Sequence, residues 1–150
     1  MSEMRVSVQL VEGGDRECLR PLAAFSSRSD PDFETELAKP HCRAWVARLD
    51  DAAPVAFLLT WAVADELQIL DIATAPHARR CGAARALLSA LREYGNAQGF
   101  RCAVLEVRAT NSAALALYQG VGFHTARRRA MYYADGEDAL ELVLQLCDPV

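Results

Sequence analysis

The length, composition and charge of this chain exclude several classes of protein. Its 150 residues fit one domain of ordinary size, and 52% hydrophobic with 24% charged residues is typical of a folded globular protein. The net charge of −4 argues against a nucleic-acid partner. The five cysteines are widely spread without a C-x-x-C pair, so we expect neither a metal site nor disulfides. No apolar run resembles a signal or a membrane span, so we expect a cytoplasmic protein with no membrane partner.

Apolar periodicity predicts secondary-structure elements in the order β-α-α-β-β-β-α-β-α-β-β. The predicted strands cover residues 6–11, 44–49, 55–63, 67–74, 102–108, 123–133 and 138–147. The predicted helices cover residues 15–26 and 32–38, a long segment from about residue 84 that Gly99 ends, and residues 111–121. We therefore expect one α/β (α+β) domain over residues 1–150, built around a single mixed sheet.

The turn that leads into the long helix is suited to bind phosphate. Small residues let the backbone approach a ligand closely; they are Gly82, Ala83 and Ala84. Nearby arginines add positive charge; they are Arg79, Arg80 and Arg85. The start of the helix also offers backbone N–H groups without intrahelical acceptors, so this turn predicts a pyrophosphate site. The alternative is a tight turn with exposed arginines, since the spacing is neither a dinucleotide fingerprint nor a Walker loop.

Polar residues of the next strand and helix are the candidates for chemistry. Glu106 interrupts an apolar run, and a buried carboxylate is costly in a core but useful as a general base. Its alternative role is a pair with Arg108 on the same strand face. Asn111 and Tyr118 lie two turns apart on one helix face, roughly 10 Å from each other, which suits contacts to an extended ligand. They could equally be a plain N-cap and a core aromatic.

Three ordered motifs resemble the GCN5-related N-acetyltransferase (GNAT) superfamily. The stretch from Arg79 to Ala84 is similar to its Arg/Gln-x-x-Gly-x-Gly/Ala pattern. The run from Leu105 to Tyr118, followed by Gly122-Phe123, resembles RimI-type ribosomal-protein alanine N-acetyltransferases. The segment 132–139, Tyr-Tyr-Ala-Asp-Gly-Glu-Asp-Ala, is similar to that group and to other N-terminal acetyltransferases. The resemblance implies a GNAT fold, with a mostly antiparallel sheet splayed at the acetyl-CoA site.

The resemblance also implies roles for individual residues. Glu106 falls at the general-base position and Tyr118 at the general-acid position, and direct acetyl transfer from acetyl-CoA needs no metal. The positions that contact acetyl-CoA are Ile72, Ala73, Thr74, Arg79, Arg80, Cys81, Gly82, Ala83, Ala84, Arg85 and Asn111. Tyr132 and Tyr133 correspond to a tyrosine pair beside the peptide entrance. The implied acceptor is the N-terminal α-amine of a protein, such as a ribosomal protein that begins with alanine.

One departure from the family pattern leaves the acceptor open, and a covalent mechanism is an alternative to direct transfer. The loop at 25–31 lacks the Pro-Trp that often follows the phenylalanine in RimI-like chains, and that loop helps to form the peptide groove. A small amine or a lysine therefore stays open as the acceptor, as does a non-catalytic acetyl-CoA-binding module. A covalent route through Cys81 or Cys102 is the alternative mechanism, although no histidine has an evident pairing with either cysteine.

Overall fold

The computed structural model of the chain describes residues 5–11, 16–26 and 33–146. The strands are β1 (Val6–Leu10), β2 (Cys42–Leu49), β3 (Pro54–Val63), β4 (Glu66–Thr74), β5 (Cys102–Arg108), β6 (His124–Arg129) and β7 (Ala139–Gln145). The α-helices are α1 (Phe33–Ala38), α2 (Ala83–Gln98) and α3 (Ser112–Val121). Two 3-10 helices cover Arg16–Phe25 and Pro76–Ala78. The predicted order of elements is confirmed.

The strands form a mixed, mostly antiparallel sheet in the order β1-β2-β3-β4-β5-β7-β6. β4 and β5 are parallel, and they pair only from Glu66–Cys102 to Gln68–Val104. β7 lies between β5 and β6 and is antiparallel to both. The predicted α/β fold, with a sheet that helices flank and that opens between two strands, is therefore confirmed.

The two faces of the sheet are covered by different helices. Alternate residues of β2 point to opposite faces, as expected for the two-residue period of a strand. Trp45 and Ala47 belong to the core under α2, which also buries Leu87, Leu88 and Leu91. Ala44 and Val46 belong instead to the core that the first 3-10 helix covers with Leu19 and Leu22. This packing fixes the strands whose ends form the candidate site.

Three predicted elements need correction. The first predicted helix is a 3-10 helix with Pro21 inside it; proline lacks the N–H that a regular α-helix would use there. The strand predicted over 123–133 ends at Arg129, because the chain turns at Met131, whose φ is 52° and whose N–H donates to Asp138 Oδ1. The last strand ends at Gln145. Most of the loop at 25–31 lies outside the described residues.

Candidate active site

The divergence of β4 and β5 opens a cleft at the centre of the sheet. Beyond Gln68 and Val104 the two strands no longer pair, and a cleft of about 1050 Å³ lies between them. The sequence-predicted residues that line it are Ile72, Ala73, Thr74, Arg79, Arg80, Gly82, Ala83, Ala84, Arg85, Glu106, Asn111, Tyr118 and Tyr133. Cys81 and Tyr132 are not among the lining residues. One cleft therefore brings together most of the positions that the sequence proposed separately.

The start of α2 has the geometry of an anion site. Gly82 is the N-cap in the left-handed conformation, with a φ of 82°, and no side chain caps the helix. The first intrahelical bond runs from Ala86 N to Gly82 O (3.0 Å), so the N–H groups before it have no acceptor within the helix. A Cβ added at Gly82 would meet no atom within 4 Å, which leaves the backbone open to a ligand. These features fit a pyrophosphate at the positive end of the helix dipole.

The arginines near this turn do not act alike. Arg79 and Arg80 are exposed and line the cleft, where their charges are available to an anion. Arg85 also lines it, but its Nη2 donates to the carbonyl of Gly120 at 3.0 Å. Arg92, further along α2, donates in the same way to the carbonyl of Val121 at 3.2 Å. Arg85 therefore helps to fasten α2 to the end of α3, a role that the sequence did not suggest.

Tyr118 is buried at the base of the cleft, against Phe123, with 7% of its surface exposed. Burial, and secondarily the negative charge of Asp71, raises the pKa of Tyr118 to about 12. Asp71 lies on β4, is 4% exposed, and accepts a hydrogen bond from Ser26 Oγ. At neutral pH Tyr118 is therefore protonated and able to donate a hydrogen bond into the cleft.

Asn111 has the role of a helix cap. Its Oδ1 accepts from the N–H of Ala114 at 3.2 Å, which satisfies one of the donors at the start of α3. The same residue lines the cleft, two turns of helix from Tyr118. Capping and ligand contact are compatible, because the capping bond uses only the side-chain oxygen and leaves the amide NH₂ group as a donor.

The expected burial of Glu106 is wrong. Glu106 is on the exposed side of β5, with 30% of its side chain accessible, because the opening of the sheet leaves this part of the strand without β4 as a neighbour. The alternative pairing with Arg108 is also wrong. Arg108 Nη1 instead binds Asp135 (2.8 Å) and Glu137 (2.9 Å), whereas Glu106 Oε1 lies 3.4 Å from Nε of Arg129.

The loop that joins β6 to β7 carries the two predicted substrate tyrosines. The Tyr133 ring lines the cleft and stacks under the guanidinium of Arg108, 4.1 Å from the ring centroid. Tyr132 is 46% exposed, and its hydrogen bond with Glu106 raises the pKa of its hydroxyl. The two rings meet edge to face at 5.1 Å. The loop therefore places one aromatic ring in the cleft and a second one beside Glu106.

A second, smaller pocket of about 410 Å³ adjoins the same opening. It shares Glu106 with the large cleft. Its other charged lining residues are Glu66, Arg129 and Glu141. Glu106 therefore borders two cavities, one of which contains the start of α2 and the other a cluster of carboxylates.

The two cysteines of the alternative mechanism do not line either cavity. Cys102 is 3% exposed, and burial raises the pKa of its thiol. The Sγ of Cys81 contacts the carbonyl of Arg79 at 3.7 Å. A thiolate nucleophile is disfavoured at Cys102, and Cys81 does not line either cavity, so the geometry does not favour a covalent route.

Sequence reasoning missed three charged residues of the site. Asp71 interrupts an apolar strand as Glu106 does, and the same signal could have revealed it. Arg129 and Glu141 join the site only through the pairing of β7 with both β5 and β6, which no local pattern shows.

Within 5–11, 16–26 and 33–146, no group of three or more His, Cys, Asp or Glu side chains is arranged to hold a metal ion. No helix in these ranges is long and apolar enough to cross a membrane.

The splayed mixed sheet with an open, uncapped helix start is the architecture of the GNAT acetyltransferases. Residues 14–123 match the family model described as the acetyltransferase (GNAT) family, and the chain belongs to that family. The fold superposes on the crystal structure of the ribosomal-protein-S18-alanine N-acetyltransferase from Escherichia coli. That match has a TM-score of 0.83 and 28% identity, and it covers 97% of each chain.

Two curated relatives have higher sequence identity over shorter segments. The [ribosomal protein bS18]-alanine N-acetyltransferase of Escherichia coli K12 is 43% identical over 94 residues, which is 61% of this chain and 64% of the relative. An N-alpha-acetyltransferase of Sulfurisphaera tokodaii is 41% identical over 75 residues, 47% of this chain and 43% of the relative. The matched segment thus spans less than two thirds of the length of either relative.

Proposed function

We propose that this protein transfers the acetyl group of acetyl-CoA directly to the N-terminal α-amine of a protein. The observation that carries the proposal is the shared cleft, which joins an anion-binding helix start to a carboxylate and a protonated tyrosine. The names of the relatives support the acceptor class, since one is a ribosomal-protein-alanine N-acetyltransferase and the other an N-alpha-acetyltransferase. A ribosomal protein that begins with alanine is the acceptor that the bS18 relatives suggest.

The residues of the cleft fit acetyl-CoA, which would supply an activated thioester acyl group. The open N–H groups at the start of α2, together with Arg79 and Arg80, would hold its phosphates. Residues 72–74 of β4 pair with β3 on one edge, whereas their other edge faces the cleft because the ladder with β5 ends at Gln68. Backbone groups on that edge would bind the pantetheine arm of acetyl-CoA and polarise its acetyl carbonyl.

Glu106 would accept the proton of the acceptor amine. At pH 7 about a tenth of an α-amine with a pKa near 8 is already neutral, against well under a thousandth of a lysine amine. The carboxylate therefore has a much smaller task with an α-amine, which it can perform directly or through one water. Its position between the two cavities supports this role, since an amine in the smaller pocket and a thioester in the cleft would meet beside it.

Tyr118 would stabilise the leaving thiolate as a hydrogen-bond donor. Its pKa of about 12 lies well above the value of roughly 8.5 for an ordinary thiol, so complete proton transfer to sulfur is unfavourable. A donated hydrogen bond to a developing anion is nevertheless strong in a site from which water is excluded. The general-acid role that the family resemblance implies is thus better described here as donation of a hydrogen bond.

A panel of acceptors tests the proposal. Release of the coenzyme thiol would be measured with a short peptide that begins with alanine, with the same peptide blocked at its N-terminus, and with a polyamine. The free peptide is expected to react at least about tenfold faster than the other two. The blocked peptide offers no α-amine, and the amines of a polyamine, like that of lysine, have a higher pKa than an α-amine. A faster reaction with the polyamine would assign a small-amine acceptor, and no thiol release with any amine would favour a binding module.

A further inference from the structure

Two carboxylates face each other beside the opening of the sheet. Glu106 on β5 is the direct cross-strand partner of Glu141 on β7. Like charges in this arrangement destabilise a sheet and push the side chains apart. Glu66 of β4 lines the same small pocket, but its carboxylate is already paired with Arg101, whose Nη2 lies 3.1 Å from Oε1 of Glu66. Glu106 therefore needs a cation close by if its carboxylate is to stay at the border of the two cavities.

Arg129 is the cation that contacts both members of this pair. Its Nε lies 3.4 Å from Oε1 of Glu106, and its Nη2 donates to Oε2 of Glu141 at 3.2 Å. The guanidinium also lies 5.6 Å from the centroid of the Tyr132 ring. A planar guanidinium can hold two carboxylates at fixed angles, whereas a lysine ammonium acts as a point charge.

One atom of Arg129 has no hydrogen-bond partner among the described residues. Its Nε is buried, and the 3.4 Å approach of Glu106 does not meet hydrogen-bond geometry. An unsatisfied buried donor is costly, so a small movement of the Glu106 carboxylate into line with the Nε–H bond is favourable. Arg129 therefore attracts Glu106 through its charge, without a hydrogen bond between the two side chains.

We propose that Arg129 is a positioning residue: by bridging Glu141 and Glu106 it holds the Glu106 carboxylate between the acetyl-CoA cleft and the smaller pocket. The inference rests on the proposed function, in which Glu106 takes the proton of the acceptor. Without Arg129, repulsion from Glu141 displaces the carboxylate from the position where the amine and the thioester meet. A displacement of about 1 Å in a catalytic group can cost up to about 100-fold in rate.

Steady-state kinetics of Arg129→Ala test this role. We expect kcat to fall about tenfold or more, while KM for acetyl-CoA stays within about twofold because the start of α2 is untouched. Arg129→Lys keeps a positive charge but not the bridge, so its kcat should lie between those of the wild type and Arg129→Ala. The matched control is Arg127→Ala: Arg127 lies on the same strand, 3.8 Å from Glu141, without a contact to Glu106. It should keep kcat within about twofold.

A double variant separates positioning from a merely structural loss. If Arg129 acts by countering the charge of Glu141, the double variant Arg129→Ala/Glu141→Gln should have a kcat at least about threefold higher than that of Arg129→Ala. The effects of the two substitutions would then be clearly non-additive. Equal kcat for Arg129→Ala and the wild type would overturn the proposal. So would an equal loss in Arg127→Ala, or a double variant no faster than Arg129→Ala. Should Arg129→Ala not fold, Arg129→Lys with and without Glu141→Gln gives the same comparison.

The acceptor for these assays is whichever amine the wild-type protein acetylates fastest. Glu106 would serve any amine, so the effect of Arg129 does not depend on the acceptor being a peptide. Failure of peptides in the panel would count against the proposed acceptor, whereas a normal kcat of Arg129→Ala would count against Arg129 alone.

Discussion

Replacing Tyr118 by phenylalanine should remove a specific loss of stability at alkaline pH. In the folded protein burial raises the pKa of this hydroxyl to about 12, against a value of 10.0 for an ordinary tyrosine. An increase of two pKa units corresponds to about 3 kcal/mol of differential stability. This contribution is complete below pH 10 and is lost between about pH 10 and 12, because the unfolded tyrosine ionises first.

The assay is urea unfolding of the wild type and Tyr118→Phe at pH 8 and at pH 11.5. We expect the free energy of unfolding of the wild type to fall by about 2 kcal/mol more than that of the variant over this interval. The Cys42 thiol, whose pKa burial raises to about 11, contributes equally to both proteins and cancels in the difference. An equal fall in both proteins would refute the account, since Tyr118 would then ionise as easily in the cleft as in water.

Three further substitutions test other parts of the site. Gly82→Asp should weaken acetyl-CoA binding by at least about tenfold in calorimetry, because it places bulk and negative charge at the anion site. The matched control is Gly136→Asp, since Gly136 has a similar φ of 87° and equally open surroundings. Equal weakening of binding in both variants would reject the site. Glu106→Gln should lower turnover by about 100-fold with unchanged acetyl-CoA affinity, and near-normal turnover at neutral pH would show that the proton leaves by another path. Cys81→Ser should keep turnover within about twofold of the wild type. Loss of turnover with unchanged acetyl-CoA binding would instead support a covalent mechanism through Cys81.

Local patterns were sufficient for most of the fold. The spacing of Leu87, Leu88 and Leu91 predicts the buried face of α2, and Gly99 ends that helix in the left-handed conformation as its position suggested. The predicted length of strand β6 was too great, because the hydrogen bond from Met131 N–H to Asp138 turns the chain before Tyr132 and Tyr133. That bond joins residues of a loop whose shape depends on both flanking strands.

The candidate site was predictable where its residues are close in the chain, and less so where strands bring them together. The turn before α2 carries its phosphate-binding features in consecutive residues, and the structure places Gly82 at the helix cap. The environment of Glu106 depends on the opening between β4 and β5 and on the pairing of β5 with β7. Its exposure and its contact with Arg129 follow from that register, which the sequence does not contain in any one segment.

The measurement that tests the central claim most directly is mass spectrometry of one acetylated peptide. The peptide would begin with a free alanine and carry an internal lysine, so both amines compete in one reaction. The account predicts acetylation of the α-amine in at least about tenfold excess over the lysine, because a single carboxylate removes the proton of the less basic amine more easily. Lysine acetylated as readily as the N-terminus would contradict the N-terminal assignment.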